Sequence, residues 1–278
     1  MNGLMRRDAL GLLAAGGAAL AVTRARPAEA APLTDAERLR AYVLMRGALD
    51  DRVVTGWAEA RYFGVVDSTL TPLFGVAAAT FSQYRRKPDG SYEVASAEFA
   101  FFTDSDHNHV LETALNPYTQ ETVTIPTGGL PPSRVRVTPD LHYKLARQVP
   151  GMDFEHQING PFMRAGDIRF SDVTRVVQRA PGAARPFHYN EVMNMAAKLA
   201  DINDPAAKQV GSEVGFTIVC DWRPWMKMGD RPGHMMCVGS GRIGGSPDSL
   251  PAPWLAGMKA RHPEALADPA AVLAPAWT

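Results

Sequence analysis

The change of period at Arg52 does most to limit how this chain can fold. Val54, Gly56, Ala58, Ala60 and Tyr62 alternate with Val53, Thr55, Trp57, Glu59 and Arg61, and period two is the repeat of a strand, whose side chains point alternately to opposite faces. Runs of strand character recur at 73–84, 92–103, 134–137, 141–147 and 168–178. Between them lie residues that turn a chain. In Pro88-Asp89-Gly90 the proline sets the first dihedral and the glycine accepts a positive one; 104–108, Asn116-Pro117-Tyr118-Thr119, Gly160-Pro161 and Ala165-Gly166-Asp167 also break the pattern. Short strands joined by tight turns predict an antiparallel meander. Helices are expected in three places only. Thr34-Asp35-Ala36-Glu37 forms a capping box ahead of Leu39, Tyr42, Val43 and Arg46 at helical spacing, giving a helix over 34–47, and 190–199 and 253–261 read as two more. A long antiparallel sheet has edges to hide. Closure hides them, so the fold class is mainly β, a single antiparallel β-barrel-like domain with a few short helices, able to enclose a cavity.

Composition supports that reading. With 278 residues and 46% hydrophobic content the chain can bury one substantial core, and 24 glycines and 22 prolines are more than a helical bundle carries. The formal net charge of zero gives no reason to expect a nucleic-acid partner. The first 30 residues read as an address. Arg6-Arg7 precedes a small-residue apolar run and Ala28-Glu29-Ala30, the pattern of a twin-arginine (Tat) signal peptide with an A-x-A cleavage site. The apolar run, about 14 residues, is short of a membrane span. Processing would remove four arginines and two acids, leaving 25 basic and 27 acidic residues in a periplasmic domain over 31–278 with no stable membrane anchor.

Residues 214–242 concentrate two tryptophans, four methionines and both cysteines. The β-rich runs 214–220 and 234–239 suggest a hairpin, and Pro224, Gly229, Pro232 and Gly233 break the segment between them. There Trp222, Trp225, Met226 and Met228 present apolar, polarizable surface that must be covered. They either plug the core under a loop or line or lid a ligand cavity. A hairpin centred between Met228 and Gly229 would set Cys220 opposite Cys237, within disulfide reach. Such a bridge would contribute about 3 kcal/mol in an oxidising compartment. Two buried free thiols are the alternative.

Conventional catalytic signatures are absent. The cluster Asp104-Ser105-Asp106-His107-Asn108-His109 resembles the opening of a calcium loop but has His109 where glycine is required and Leu115 where the closing glutamate belongs, so it reads as a hairpin turn and no metal site is expected. No nucleophile elbow, dinucleotide fingerprint or Walker loop occurs, so no cofactor is expected. Any chemistry would be acid/base or electrostatic. Glu98 shares a strand face with Tyr92, Val94, Ser96, Ala100 and Phe102; if that face points inward, its carboxyl is desolvated and its pKa raised. The other register puts Phe99 and Phe101 inside and Glu98 in solvent. His156, Arg46 and Arg223 are the remaining ionisable candidates.

Four strings then carry a resemblance: Met45-Arg46-Gly47-Ala48-Leu49-Asp50; Ala97-Glu98-Phe99 through Asp104; Asn116-Pro117-Tyr118-Thr119; and Trp222-Arg223-Pro224-Trp225-Met226-Lys227-Met228-Gly229. Together they resemble the bacterial exported family called domain of unknown function 1838. One departure is Gln120, which stands where a turn glycine is expected. The resemblance implies a Tat-exported protein and brings no activity with it. Two functions stay open. One is an exported protein holding a small apolar or aromatic molecule in a barrel cavity. The other is a cofactor-free lyase, isomerase or hydrolase, with Glu98 or His156 as acid/base and Arg46 or Arg223 stabilising negative charge.

Overall fold

The computed structural model describes residues 33–278 apart from 127, 183–184 and 246–249; the expected signal peptide, 1–30, lies outside the described residues. In chain order the elements are α1 (Asp35–Arg46), β1 (Val53–Val66), β2 (Thr69–Arg86), β3 (Tyr92–Thr103), β4 (Thr113–Leu115), β5 (Thr122–Thr124), β6 (Gly128–Val137), β7 (Tyr143–Leu145), β8 (Met152–Arg164), β9 (Asp167–Gln178), β10 (Phe187–Lys198), α2 (Leu199–Ile202), β11 (Ser212–Cys220), a 3₁₀ turn (Pro224–Met226), β12 (His234–Ile243), α3 (Ala252–Arg261), α4 (Pro263–Ala267) and α5 (Pro269–Trp277). Ten strands form one antiparallel sheet in the order β7-β6-β3-β2-β1-β12-β11-β10-β9-β8, while β4 and β5 pair by themselves. The two outermost strands approach each other. A single bridge joins His142 to Gln157, and the Tyr143 and His156 rings lie 4.2 Å apart, so the sheet is a nearly closed barrel.

One end is sealed by α1. Its start is fixed locally: the Thr34 hydroxyl accepts the Glu37 N–H at 3.3 Å and the Glu37 carboxylate accepts the Thr34 N–H at 2.8 Å, satisfying two donors that a helix end leaves unpaired. Its last turn is tied to the barrel, because Leu44 C=O accepts the Val210 and Gly211 N–H groups, each at 2.9 Å. Tyr42, Val43, Leu44 and Met45 are buried against Tyr84, Val94, Phe170 and Met195 of the wall. Burial of this order is worth about 2 kcal/mol per large side chain. Outside the barrel, α3 to α5 cover part of the wall, with Trp254, Met258 and Leu273 packed on Phe81, Ala97 and Phe101.

That outer layer explains why β3 has two apolar faces. Phe101 lies beneath the helices, while Val94 packs with the α1 cluster inside the barrel and Phe102 contacts the inward Tyr62 and Phe74 rings. Glu98 has the same parity as Val94 and Phe102, so it points inward.

Three expectations need correction. Residues 190–198 are not a helix but most of β10, and Leu199 opens the short α2. The Met, Ala, Glu and Lys of 190–198 favour helix by only a fraction of a kcal/mol per residue, and pairing with β9 and β11 on both sides overrides this. Alternation was present there: Glu191, Met193 and Met195 are at least half-buried, whereas Asn190, Val192 and Asn194 are exposed. Second, Gly160-Pro161 does not end a strand. It lies within β8, where a register shift between Asn159 and Phe162 absorbs it.

Third, Cys220 and Cys237 form no disulfide; both are buried free thiols. Cys220 stands opposite Met235 and Cys237 opposite Ile218, two residues away from the expected register. The linker carries a 3₁₀ turn and folds over the barrel end, so it is not the symmetric hairpin on which the pairing depended. The cysteines are diagonal neighbours on one inner face.

Candidate functional site

Inward residues at the two ends of the barrel are fully buried: Tyr62, Phe74, Met235 and Cys237 at one, Tyr84, Val94, Phe170 and Met195 at the other. Between these layers the inward side chains change character. Ala58, Ala78, Thr80, Ser96, Glu98 and Glu191 face the interior yet are only half-buried. Small side chains in a ten-stranded barrel leave space, because about eight strands already enclose a lumen that side chains just fill. Gly239 adds to it; a Cβ there would lie 2.5 Å from the Phe216 ring. The partial exposure of these side chains between two dry layers marks a central space in the barrel, the chamber.

Glu98 and Glu191 stand five strands apart in a ring of ten, on opposite walls. Burial, with the Glu191 charge adding to it against the pull of Arg223, pushes Glu98 up to about 7. Burial also raises Glu191, although its carboxylate accepts the Tyr189 hydroxyl at 2.5 Å. At the β11 end Arg223 sits among Tyr62, Cys220 and Tyr189, its guanidinium carbon 5.2 Å from the centre of the Phe187 ring. Its Nε has no partner, and among the described residues no carboxylate reaches it as an ion pair.

The α1 end holds a second group. Asp172, 2% exposed, accepts the Tyr42 hydroxyl at 2.8 Å and Arg46 Nη1 at 2.9 Å. His156 Nδ1 lies 2.8 Å from Thr174 Oγ1, and its Nε2 is 3.6 Å from Asp172 Oδ2. His156 Nε2 and Asp172 Oδ1 are buried without a hydrogen-bond partner. The four ionisable candidates read from the sequence thus divide, with Glu98 and Arg223 toward one end and Arg46 and His156 at the other. Sequence reasoning missed Asp172 and Glu191. Asp172 is the one acid on the inward face Ile168, Phe170, Asp172, Thr174, Val176, so the argument used for Glu98 would have found it. Glu191 was hidden by the helix expected over its strand.

Trp222, Met226 and Met228 are buried in a packed plug over the β11 end, and Trp225 is half-buried against Phe74 and Phe102 at 5.5 and 5.6 Å between ring centres. Asn116 locks the plug. Its Nδ2 donates to Met226 C=O at 2.7 Å and reaches Met228 Sδ at 3.3 Å, and Tyr118 meets Trp222 at 5.2 Å. Gly64 permits this approach, since a Cβ there would lie 2.3 Å from the Tyr118 hydroxyl oxygen. The 116–119 and 222–229 strings are therefore one structural unit. Gln120, at the expected glycine position, has φ 59° and closes the turn by donating its N–H to Asn116 C=O at 2.9 Å.

Elsewhere, Asp104 Oδ1 accepts the Asn108 N–H at 2.8 Å in an ordinary turn, and among the described residues no three metal-ligating side chains gather. A surface cleft of about 690 Å³ is bordered by Arg52, Trp57, Lys208 and Arg242. It shares no lining residue with the chamber, and two of its cations are already paired, Arg52 with Asp50 and Arg242 with Glu213.

Fold and site together define a ten-stranded antiparallel barrel closed at both ends around ionisable groups. The chain belongs to the family described as Protein of unknown function (DUF1838), which matches residues 50–275. That span contains every strand together with Glu98, His156, Asp172, Glu191 and Arg223, while Arg46 precedes it. No curated protein and no solved structure matches the chain.

Proposed function

We propose that the chamber binds a small organic molecule and transfers a proton on it, making this protein a cofactor-free acid/base enzyme of the lyase, isomerase or hydrolase kind. The carrying observation is the convergence of ionisable, half-buried side chains on the part of the interior that lies between two dry ends. A carboxyl near 7 is suited to the task, because at neutral pH it can take a proton as carboxylate and return one as acid. Glu98 would accept a proton from the substrate and deliver it to another of its atoms. Glu191, whose neutral form burial favours, would face it from the opposite wall, and Arg223 would stabilise negative charge as it develops. The second reading, a carrier for an apolar or aromatic molecule, is favoured by Phe216 and Met193, which are inward and half-buried in the same space. Native mass spectrometry of small molecules co-purifying with the protein identifies the ligand. On that molecule Glu98→Gln is expected to cut turnover at least about 100-fold and spare binding; unchanged turnover overturns the enzyme reading, and no turnover by the wild type leaves the carrier.

The same proposal places the protein in the periplasm after Tat export and cleavage near residue 30, with the small molecule as its partner and neither nucleic acid nor a lasting membrane anchor. The motivation is Arg6-Arg7 and the apolar run that follows. Retention of the full-length precursor in the cytoplasm when both arginines are replaced by lysine supports the reading, and unaltered export overturns it.

A further inference from the structure

We propose that the chamber's ligand is an anion, a small aromatic or apolar carboxylate, and that Arg223 binds its carboxylate group. The inference rests on the chamber being a ligand site and adds the ligand's chemical class. Arg223 follows β11 in an extended conformation, φ −61° and ψ 136°, immediately before the 3₁₀ turn, and so lies where the plug meets the barrel wall. A guanidinium taken largely out of water is costly unless its charge and donors are met. Here they are met only in part. The neutral Tyr62 hydroxyl is a hydrogen-bonding neighbour, but Nε is buried without a partner, and the Phe187 ring offers a contact with no charge to balance it.

The groups facing Arg223 come from five strands: Tyr62 of β1, Glu98 of β3, Tyr189 of β10, Cys220 of β11 and Cys237 of β12. None is a fixed anion. Burial pushes the Cys220 thiol up to about 11 and the Cys237 thiol up to about 12, and raises both tyrosines, so all four are neutral at physiological pH. Glu98 alone changes charge in the neutral range. A planar carboxylate would satisfy the guanidinium by paired hydrogen bonds, and an aromatic or apolar body would find Phe216 and Met193 deeper in the chamber. A cationic ligand would be repelled, and a neutral one could accept its hydrogen bonds without balancing its charge. Ionisation of Glu98 would supply a competing anion, so affinity should fall as pH rises through about 7.

Isothermal titration with matched pairs tests this: benzoate against benzamide, and 2-naphthoate against 2-naphthamide, at pH 6 and pH 8. The acids are expected to bind at least ten-fold more tightly than their amides at pH 6, with the preference smaller at pH 8. Arg223→Met should bring acid binding down to the amide level without lowering the melting temperature, since it removes a charge that has no partner, whereas Arg61→Met on the outer surface should change neither. Where Arg223→Met does not fold, Arg223→Gln with the same ligands replaces it. Acids and amides binding equally would overturn the anion assignment and leave the chamber reading intact. A preference for acids that survives loss of Arg223 would overturn its role. No binding by either pair would count against both the assignment and the chamber as a site for small aromatic molecules.

Discussion

The two ends of the barrel are closed by opposite means. At one, a regular capped helix brings Arg46 to Asp172, and the pair is completed inside the protein with Tyr42 as a third partner. At the other, an irregular segment rich in Trp, Met and Pro brings Arg223 to the interior, where Glu98 is a neighbour but, among the described residues, no carboxylate forms an ion pair with it. Both cations are largely withdrawn from water. The contrast separates a charge paired within the fold from one for which a ligand is proposed as the partner.

The largest expected effect breaks the first end. Asp172→Ala removes the acceptor shared by Arg46 and Tyr42 and leaves a buried cation unpaired, so urea denaturation should show a loss of about 3–5 kcal/mol. Removing Arg223 should not do this. Equal losses at the two ends would erase the distinction.

Glu98 sharpens the comparison through pH. Its folded value of about 7 lies above the unfolded 4.5. Below 4.5 the carboxyl is neutral in both states; as pH rises toward 7 the unfolded chain ionises first and stability is lost, and above 7 the penalty is constant. Glu98→Gln should therefore match the wild type near pH 4 and exceed it by about 2 kcal/mol at pH 8, allowing for the partial exposure of its side chain. Parallel stability curves across that window would mean that Glu98 is not desolvated.

The smallest effect concerns the plug's supporting turn. Gln120 holds a left-handed conformation that glycine adopts without strain, so Gln120→Gly should raise stability by about 0.5 kcal/mol after loss of the exposed bond from Gln120 Nε2 to Pro117 C=O. A drop in melting temperature would show that this bond outweighs the backbone strain.

The sequence by itself determined what depends on neighbours a few residues away. The capping box places α1, proline and glycine place the 88–90 turn, alternation marks β1, β2, β3 and β9, and the missing glycine at 120 is visible as a departure. These features follow from dihedral preference and hydrogen bonds within one turn or one strand. Only the tertiary structure decided the rest. Two apolar faces on β3 made both registers of Glu98 acceptable until α3 to α5 were seen to cover one of them. Helix-favouring residues in 190–198 yielded to strands on either side, and with that strand came Glu191. The irregular linker moved the cysteines out of opposition. Asn116 meets the 222–229 segment, and Glu98, Glu191 and Arg223 approach one another, only because the sheet curls until its first and last strands meet, a long-range event that no local preference encodes.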